Sequence, residues 1–232
     1  MSTRVGIVAE GPIDLALLPS ILHQIAEERA GVTWPVNVAD AFEWLQMRPR
    51  GHGGVWMAIR RIVRVLEKDP QLPYAFIVIL LDRRTQKIQK KIRKLISGKD
   101  RFVLAVAQEE IEAWWLGDRK NTLAWLEFPE PPVGTRYADG GYVAERDDNP
   151  KYTLHELTEK SVHVDRVYGE GNLDLARDFA ELWDGRVRLK EIETQCPQQF
   201  PPFCKDTAQA FRHAKSSGSQ FKQAEFDQIK LT

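Results

Sequence analysis

The chain has 232 residues, with 33 basic and 33 acidic side chains and a net charge of zero, so no global field draws it onto nucleic acid or an acidic membrane. Its length suits one large α/β domain or a core with a smaller appendage, and any polyanion contact must be local. No charged-then-apolar leader opens it and the longest apolar stretch, Ala75 to Leu81, is too short to cross a bilayer, so a cytoplasmic protein without a membrane partner is expected.

RVGIVAE reads as a first buried strand, and GPIDLALLPSILHQIAEERAG follows with Leu15, Leu18, Ile21, Leu22 and Ile25 at helical spacing and Gly31 closing it. TWPVNVAD is a second strand. The loop MRPRGHGG leads into VWMAIRRIVRVLEKD, whose Met57, Ile59, Ile62, Val63 and Leu66 form an apolar stripe with arginines around it. AFIVILLD is a third strand. After it, RRTQKIQKKIRKLISGKD predicts a basic amphipathic helix with Ile88, Ile92, Leu95 and Ile96 inward. FVLAVA is a fourth strand, followed by the helix EEIEAWWLGD. Strands separated by helices imply right-handed crossovers and a mostly parallel sheet.

From about Leu126 the character changes, because FPEPPVGTRYADGGYVAERDDNPK is rich in Pro, Gly and charge. It reads as a long loop or lid, followed by short helices in TLHELTEKSV, GNLDLARDFAELWDGRVRLKEIE and PFCKDTAQAFRHAK and a tail from about Ser216. The expected organisation is an α/β core over 1–125, a mostly parallel sheet flanked by helices, with a loop and C-terminal helical appendage over 126–232 packed on it. Cys196 and Cys204 are too few for a disulfide framework, and zinc would need two more ligands from scattered histidines such as His213. Packing thiols are the simpler reading.

Three of the apolar runs end on acids: the first at Glu10, the third at Asp82, the fourth at Glu109 and Glu110. Ligands of open α/β sheets bind outside the carboxyl ends of the strands, so these acids are expected to meet there. Carboxylates gathered at one edge repel one another unless a cation such as Mg²⁺ neutralises them, although a strand-end acid is also an ordinary cap. Glu10-Gly11-Pro12 suits a turn with close backbone approach and a helix start. Asp14 either faces the same site or caps that helix. Glu109 and Glu112 share a helix face, the alternative for Glu112 being a pair with Arg119 or Lys120. Trp114 and Trp115 suit the core better than base stacking.

Arg48, Arg50 and His52 stand beside glycines before a helix start, which suits phosphate binding or a solvated loop. The residues Arg83, Arg84, Lys87, Lys90, Lys91, Arg93 and Lys94 make a basic stripe that could track a nucleic-acid backbone or serve as a solvated face.

The succession of a strand ending in EG, a later strand ending in aspartate and then an acid-rich segment resembles the Toprim fold of topoisomerases, primases and overcoming-lysogenization-defect nucleases. AEGPID, VILLDRRT and VAQEEIEAWWLGD, with the late YTLHEL and CPQQFPPFCKDTAQAF, are similar to the Toprim-related domain of unknown function 4276. The likeness spans nearly the whole chain, and QEEIEAWWLGD is its most specific part.

The resemblance implies a Toprim-like core and a Mg²⁺ (or Mn²⁺) site for cleavage or transfer at phosphodiester bonds. By position, Glu10 would be the acid and base or a metal ligand, Asp82 the first aspartate of the DxD element, and Glu112 with Glu109 or Glu110 the third acidic contribution. Arg48, Arg50, His52 or Arg84 would contact phosphate. Arg84 departs from the pattern, since it occupies the second DxD position and sets a positive charge where a cation should sit. The resemblance also implies an AAA- or ABC-type ATPase partner, through which an oligomer could assemble, in bacterial anti-phage defence. Two functions follow: a metal-dependent nuclease or nuclease subunit acting on DNA or RNA, or a degenerate sensor that binds nucleic acid, nucleotide or a foreign protein without chemistry. Phosphoryl transfer with Asp82 as nucleophile is disfavoured by Arg84. Dinucleotide fingerprints and serine-nucleophile elbows are absent from the sequence.

Overall fold

The computed structural model describes residues 2–47, 51–68, 72–82, 86–107, 111–163, 166–169 and 172–216. Four strands, β1 (Thr3–Val8), β2 (Val36–Asp40), β3 (Phe76–Asp82) and β4 (Phe102–Ala107), form an all-parallel sheet in the order β2-β1-β3-β4. Helix α1 (Pro12–Ala30) joins β1 to β2. The helices α2 (Ala41–Trp44) and α3 (Gly51–Lys68) lead to β3, and α4 (Gln86–Ile96) joins β3 to β4. The α/β class with a parallel, helix-flanked sheet is therefore as the sequence predicts.

Chain direction decides which face each helix covers. The step from β1 to β2 runs one way across the sheet and the steps to β3 and β4 run the other, so right-handed crossovers place α1 on one face and α3 and α4 on the opposite one. Side-chain alternation agrees. Val5, Ile7, Val78, Leu80, Val103 and Ala105 belong to the core that contains the inner side of α1, while Val8, Ile77, Ile79 and Leu81 belong to the core that contains Val55, Ile59, Ile62 and Ile92 of α3 and α4. Gly6 keeps β1 close to Tyr74, whose ring would lie 3.0 Å from any Cβ added there. Met57, expected in the α3 stripe, is 56% exposed; Val55 and Ala58 take the inner positions instead.

A single crossover helix cannot cover four strands, and the second half of the chain fills the gap. Past α5 (Glu112–Gly117), α6 (Arg119–Trp125) and two 3-10 turns (Arg136–Ala138 and Ala144–Arg146) come α7 (Pro150–Glu159), α8 (Leu173–Trp183), α9 (Leu189–Gln195) and α10 (Phe200–Ser216). Helices α8 and α10 pack on α1, and α10 also lies against β3 and β4, with Phe211 edge-on to Phe76 at 4.9 Å. Trp114 stacks on Phe203 at 5.1 Å and Trp115 on Phe179 at 4.5 Å, both indoles fully buried, as the sequence suggests for core residues. Cys196 and Cys204 are buried free thiols. Among the described residues no helix is long and apolar enough to cross a membrane.

The segment between α6 and α7 is pinned rather than loose. Tyr137 donates its hydroxyl to the Leu116 carbonyl at 2.7 Å, and Glu145 accepts the backbone N–H groups of Gln198 and Gln199 at the entry to α10. Asp147 accepts from Tyr142, Thr153 and the Asn149 N–H.

Candidate functional site

Because β2 lies on one side of β1 and β3 on the other, the strand order reverses between β1 and β3, and the crevice beyond their carboxyl ends is where such sheets take ligands. Glu10 sits two residues past β1, and Asp82 is the last residue of β3. The Asp82 N–H donates to Glu10 Oε1 at 3.2 Å, so the two strand ends are tied directly. A cleft of about 400 Å³ opens there, lined by Glu10, Gly11, Asp14, Gly51, Asp82, Glu112 and Lys151 among others. Three of the expected acids, Glu10, Asp82 and Glu112, thus line one cleft beyond the carboxyl ends of β1, β3 and β4.

Asp14 takes both roles that the sequence allows. Its Oδ2 accepts the Gly11 N–H at 2.8 Å, which fixes the first turn of α1, and the same carboxylate lines the cleft. Burial, then the charges of Glu112 and Glu10, outweigh that hydrogen bond and raise its pKa from 3.8 to about 7. Its proton is therefore exchangeable near neutrality.

Glu112 begins α5 and is only 2% exposed. The Tyr168 hydroxyl donates to its Oε1 at 2.5 Å, and Lys151 lies close enough to act on it electrostatically. Burial still dominates and pushes its pKa up, with Asp82 adding in the same direction. Neither Arg119 nor Lys120 is its partner: Arg119 lies over the Tyr137 ring and Lys120 pairs with Glu191. Lys151 and Tyr168 were missed by sequence reasoning, since they come from the distant helical half. One signal existed. Asn149 caps α7 and Pro150 opens it, leaving Lys151 in a first turn where the helix dipole disfavours a cation and a facing carboxylate would compensate it.

The remaining expected residues divide. His52 is exposed in the first turn of α3 and does not line the cleft, while its neighbour Gly51 does, its N–H donating to the Glu10 carbonyl at 3.2 Å. Arg48, Arg50, Arg84, Glu109 and Glu110 lie outside the described residues. Asp118, at the end of the distinctive EEIEAWWLGD stretch, is structural: it accepts the Arg188 N–H at 3.0 Å and the Asn121 amide at 2.8 Å.

The donors at the cleft are hard oxygens, the chemistry that Mg²⁺ or Mn²⁺ selects. Among the described residues no three carboxylate, histidine or cysteine side chains converge into a ready cage. Mg²⁺ needs none, because it keeps several waters and takes one or two carboxylates together with substrate phosphates. Burial first, and then repulsion from Glu112 and Glu10, lifts the Asp14 pKa, and the repulsive part is what a cation would relieve. No protein-family model matches the chain, and neither a curated protein nor a solved structure matches it.

Proposed function

We propose that the protein is a Toprim-like, metal-dependent nuclease or nuclease subunit that acts on phosphodiester bonds. The observation that carries this reading is the meeting of Glu10, Asp14, Asp82 and Glu112 in one cleft at the reversal of strand order. A bound Mg²⁺ or Mn²⁺ would supply an activated water and neutralise charge developing on the scissile phosphate. Glu10 and Asp82 would hold it, with Glu112 and, from the resemblance, Glu109. Asp14 exchanges a proton near neutral pH, as a general acid or base must. Lys151 offers the cleft a cation for a phosphate oxygen, and Tyr168 fixes the orientation of Glu112. A role in bacterial anti-phage defence beside an AAA- or ABC-type ATPase rests on the family resemblance alone.

A second reading is a degenerate sensor or regulatory subunit that binds without chemistry. It is favoured by Arg84 at the second DxD position and by the lack of a ready cage among the described residues. One experiment separates the two. Titration calorimetry with Mn²⁺ and cleavage of labelled DNA and RNA are run on the wild type and Glu10→Ala, with the melting temperature as a control on folding. The nuclease predicts saturable Mn²⁺ binding and cleavage, both lost in the variant. Absent Mn²⁺ binding in the wild type favours the sensor, and cleavage that survives Glu10→Ala overturns the assignment of Glu10.

A further inference from the structure

We infer that the outer faces of α3 and α4 form one continuous surface that grips the phosphate backbone of duplex DNA and leads it into the acidic cleft. The inference deepens the proposed function by locating the substrate grip, and it takes its ligand class from that reading. Helices α3 and α4 pack side by side on the same sheet face, their inner sides sharing one core. Outward, α3 presents Arg60, Arg61, Arg64 and Lys68 with a single acid, Glu67, and α4 presents five cations and no acid, Lys87, Lys90, Lys91, Arg93 and Lys94. In a chain of zero net charge this is a strong local excess.

Pairing sets these side chains apart from five arginines elsewhere on the surface. Arg29, Arg136, Arg166, Arg177 and Arg188 each have a carboxylate partner, whereas among the described residues none of the α3 and α4 cations is in an ion pair. Arg60 and Lys91 instead converge on Trp56 from the two helices, at 5.6 and 5.9 Å from its ring centroid, which knits the rows together.

The face is also anchored to the site. The Gly51 N–H at the start of α3 bonds the Glu10 carbonyl, and the Gln89 amide of α4 bonds the Asp82 carbonyl at 2.9 Å. Both basic helices therefore set out from the backbone of the two strand-end acids. Surfaces for single strands use exposed aromatic rings, and here the one outward aromatic, Trp56, is half-buried beneath Arg60 and Lys91. Met57 is the only large apolar residue exposed on the described parts of α3 and α4, too little for insertion into a bilayer. Few hydroxyl or amide side chains stand among the cations to read a 2′-hydroxyl, which favours DNA over RNA.

The test is fluorescence anisotropy with the full chain and a labelled DNA duplex about two helical turns long, in EDTA across a salt series. The wild type should bind with a steep salt dependence. Combined Lys87→Gln, Lys90→Gln and Lys94→Gln should weaken binding roughly tenfold or more and flatten the log–log salt slope by about 3, one for each phosphate left unneutralised. Arg60→Gln with Arg64→Gln should act likewise, while Arg177→Gln with Arg188→Gln, at paired surface cations, should change nothing. Glutamine propagates a helix as well as lysine does, so melting temperatures should hold. Absent duplex binding, equal loss in the paired-cation control, tighter binding of a matching RNA duplex, or binding of phosphatidylserine vesicles without DNA would each overturn the inference. Cleavage assays separate it from the catalytic reading: DNA binding by the α3–α4 face without cleavage by the wild type defeats only the nuclease, and cleavage insensitive to the α4 variant defeats only the surface.

Discussion

Asp14 shares its cleft with Glu112 and Glu10, and burial together with those two charges raises its pKa to about 7. The unfolded chain releases that proton near 3.8. Between these values the folded state holds more protons than the unfolded one, so stability falls as pH rises through the window. Below about pH 4 both states are protonated and the cost vanishes; above pH 7 it is present in full. Asp14→Asn keeps an oxygen for the Gly11 N–H and removes the titration. It should therefore stabilise the protein at pH 8 by on the order of 2 kcal/mol, a figure reduced from the full shift because the carboxylate still meets cleft water, and leave stability at pH 4 nearly unchanged. Urea denaturation at the two pH values checks this. Equal stabilisation at both would mean that titration of Asp14 is not the cause.

Elements differ in how plainly the sequence announces them. The strands were legible because both faces of a parallel sheet are buried, which leaves continuous apolar runs whose ends stand out as acids. This is why Glu10 and Asp82 were found and why Lys151 and Tyr168 were not: Lys151 comes to the cleft from α7 and Tyr168 comes to Glu112 from the segment after that helix, and the docking of neither has a local period. The segment after Leu126 read as a loop because it lacks repeating apolar positions, yet its acids are what hold it in place. Glu145, 4% exposed, receives two N–H groups at the entry to α10, where the helix dipole favours an anion. Glu145→Ala removes the acceptor shared by those two half-buried and exposed N–H groups and should cost about 1–2 kcal/mol in urea denaturation. A loss under about 0.5 kcal/mol, the scale of an ordinary surface substitution, would show that the segment is not pinned there.

At the scale of the whole molecule, the cleft depends on both halves of the chain. The sheet supplies Glu10 and Asp82, while Lys151 and Tyr168, which set the charge and orientation around Glu112, arrive from beyond residue 125. Burial follows the same division, since Trp114 packs on Phe200 and Phe203, Trp115 packs on Phe179 and Tyr168, and α10 covers Phe76. Cutting the chain after Trp125 would expose two indoles and much of one sheet face together. Each aromatic group so released carries a few kcal/mol of burial, and a domain's entire stability is about 5–15 kcal/mol. A fragment of residues 1–125 should therefore lack cooperative unfolding and bind an apolar dye, whereas the full chain should melt in a single transition. A fragment that melts cooperatively and excludes the dye would show that the sheet and its own crossover helices suffice to fold. The cleft would then be completed by docking of the helical half, and adding residues 126–232 as a separate chain should restore Mn²⁺ binding.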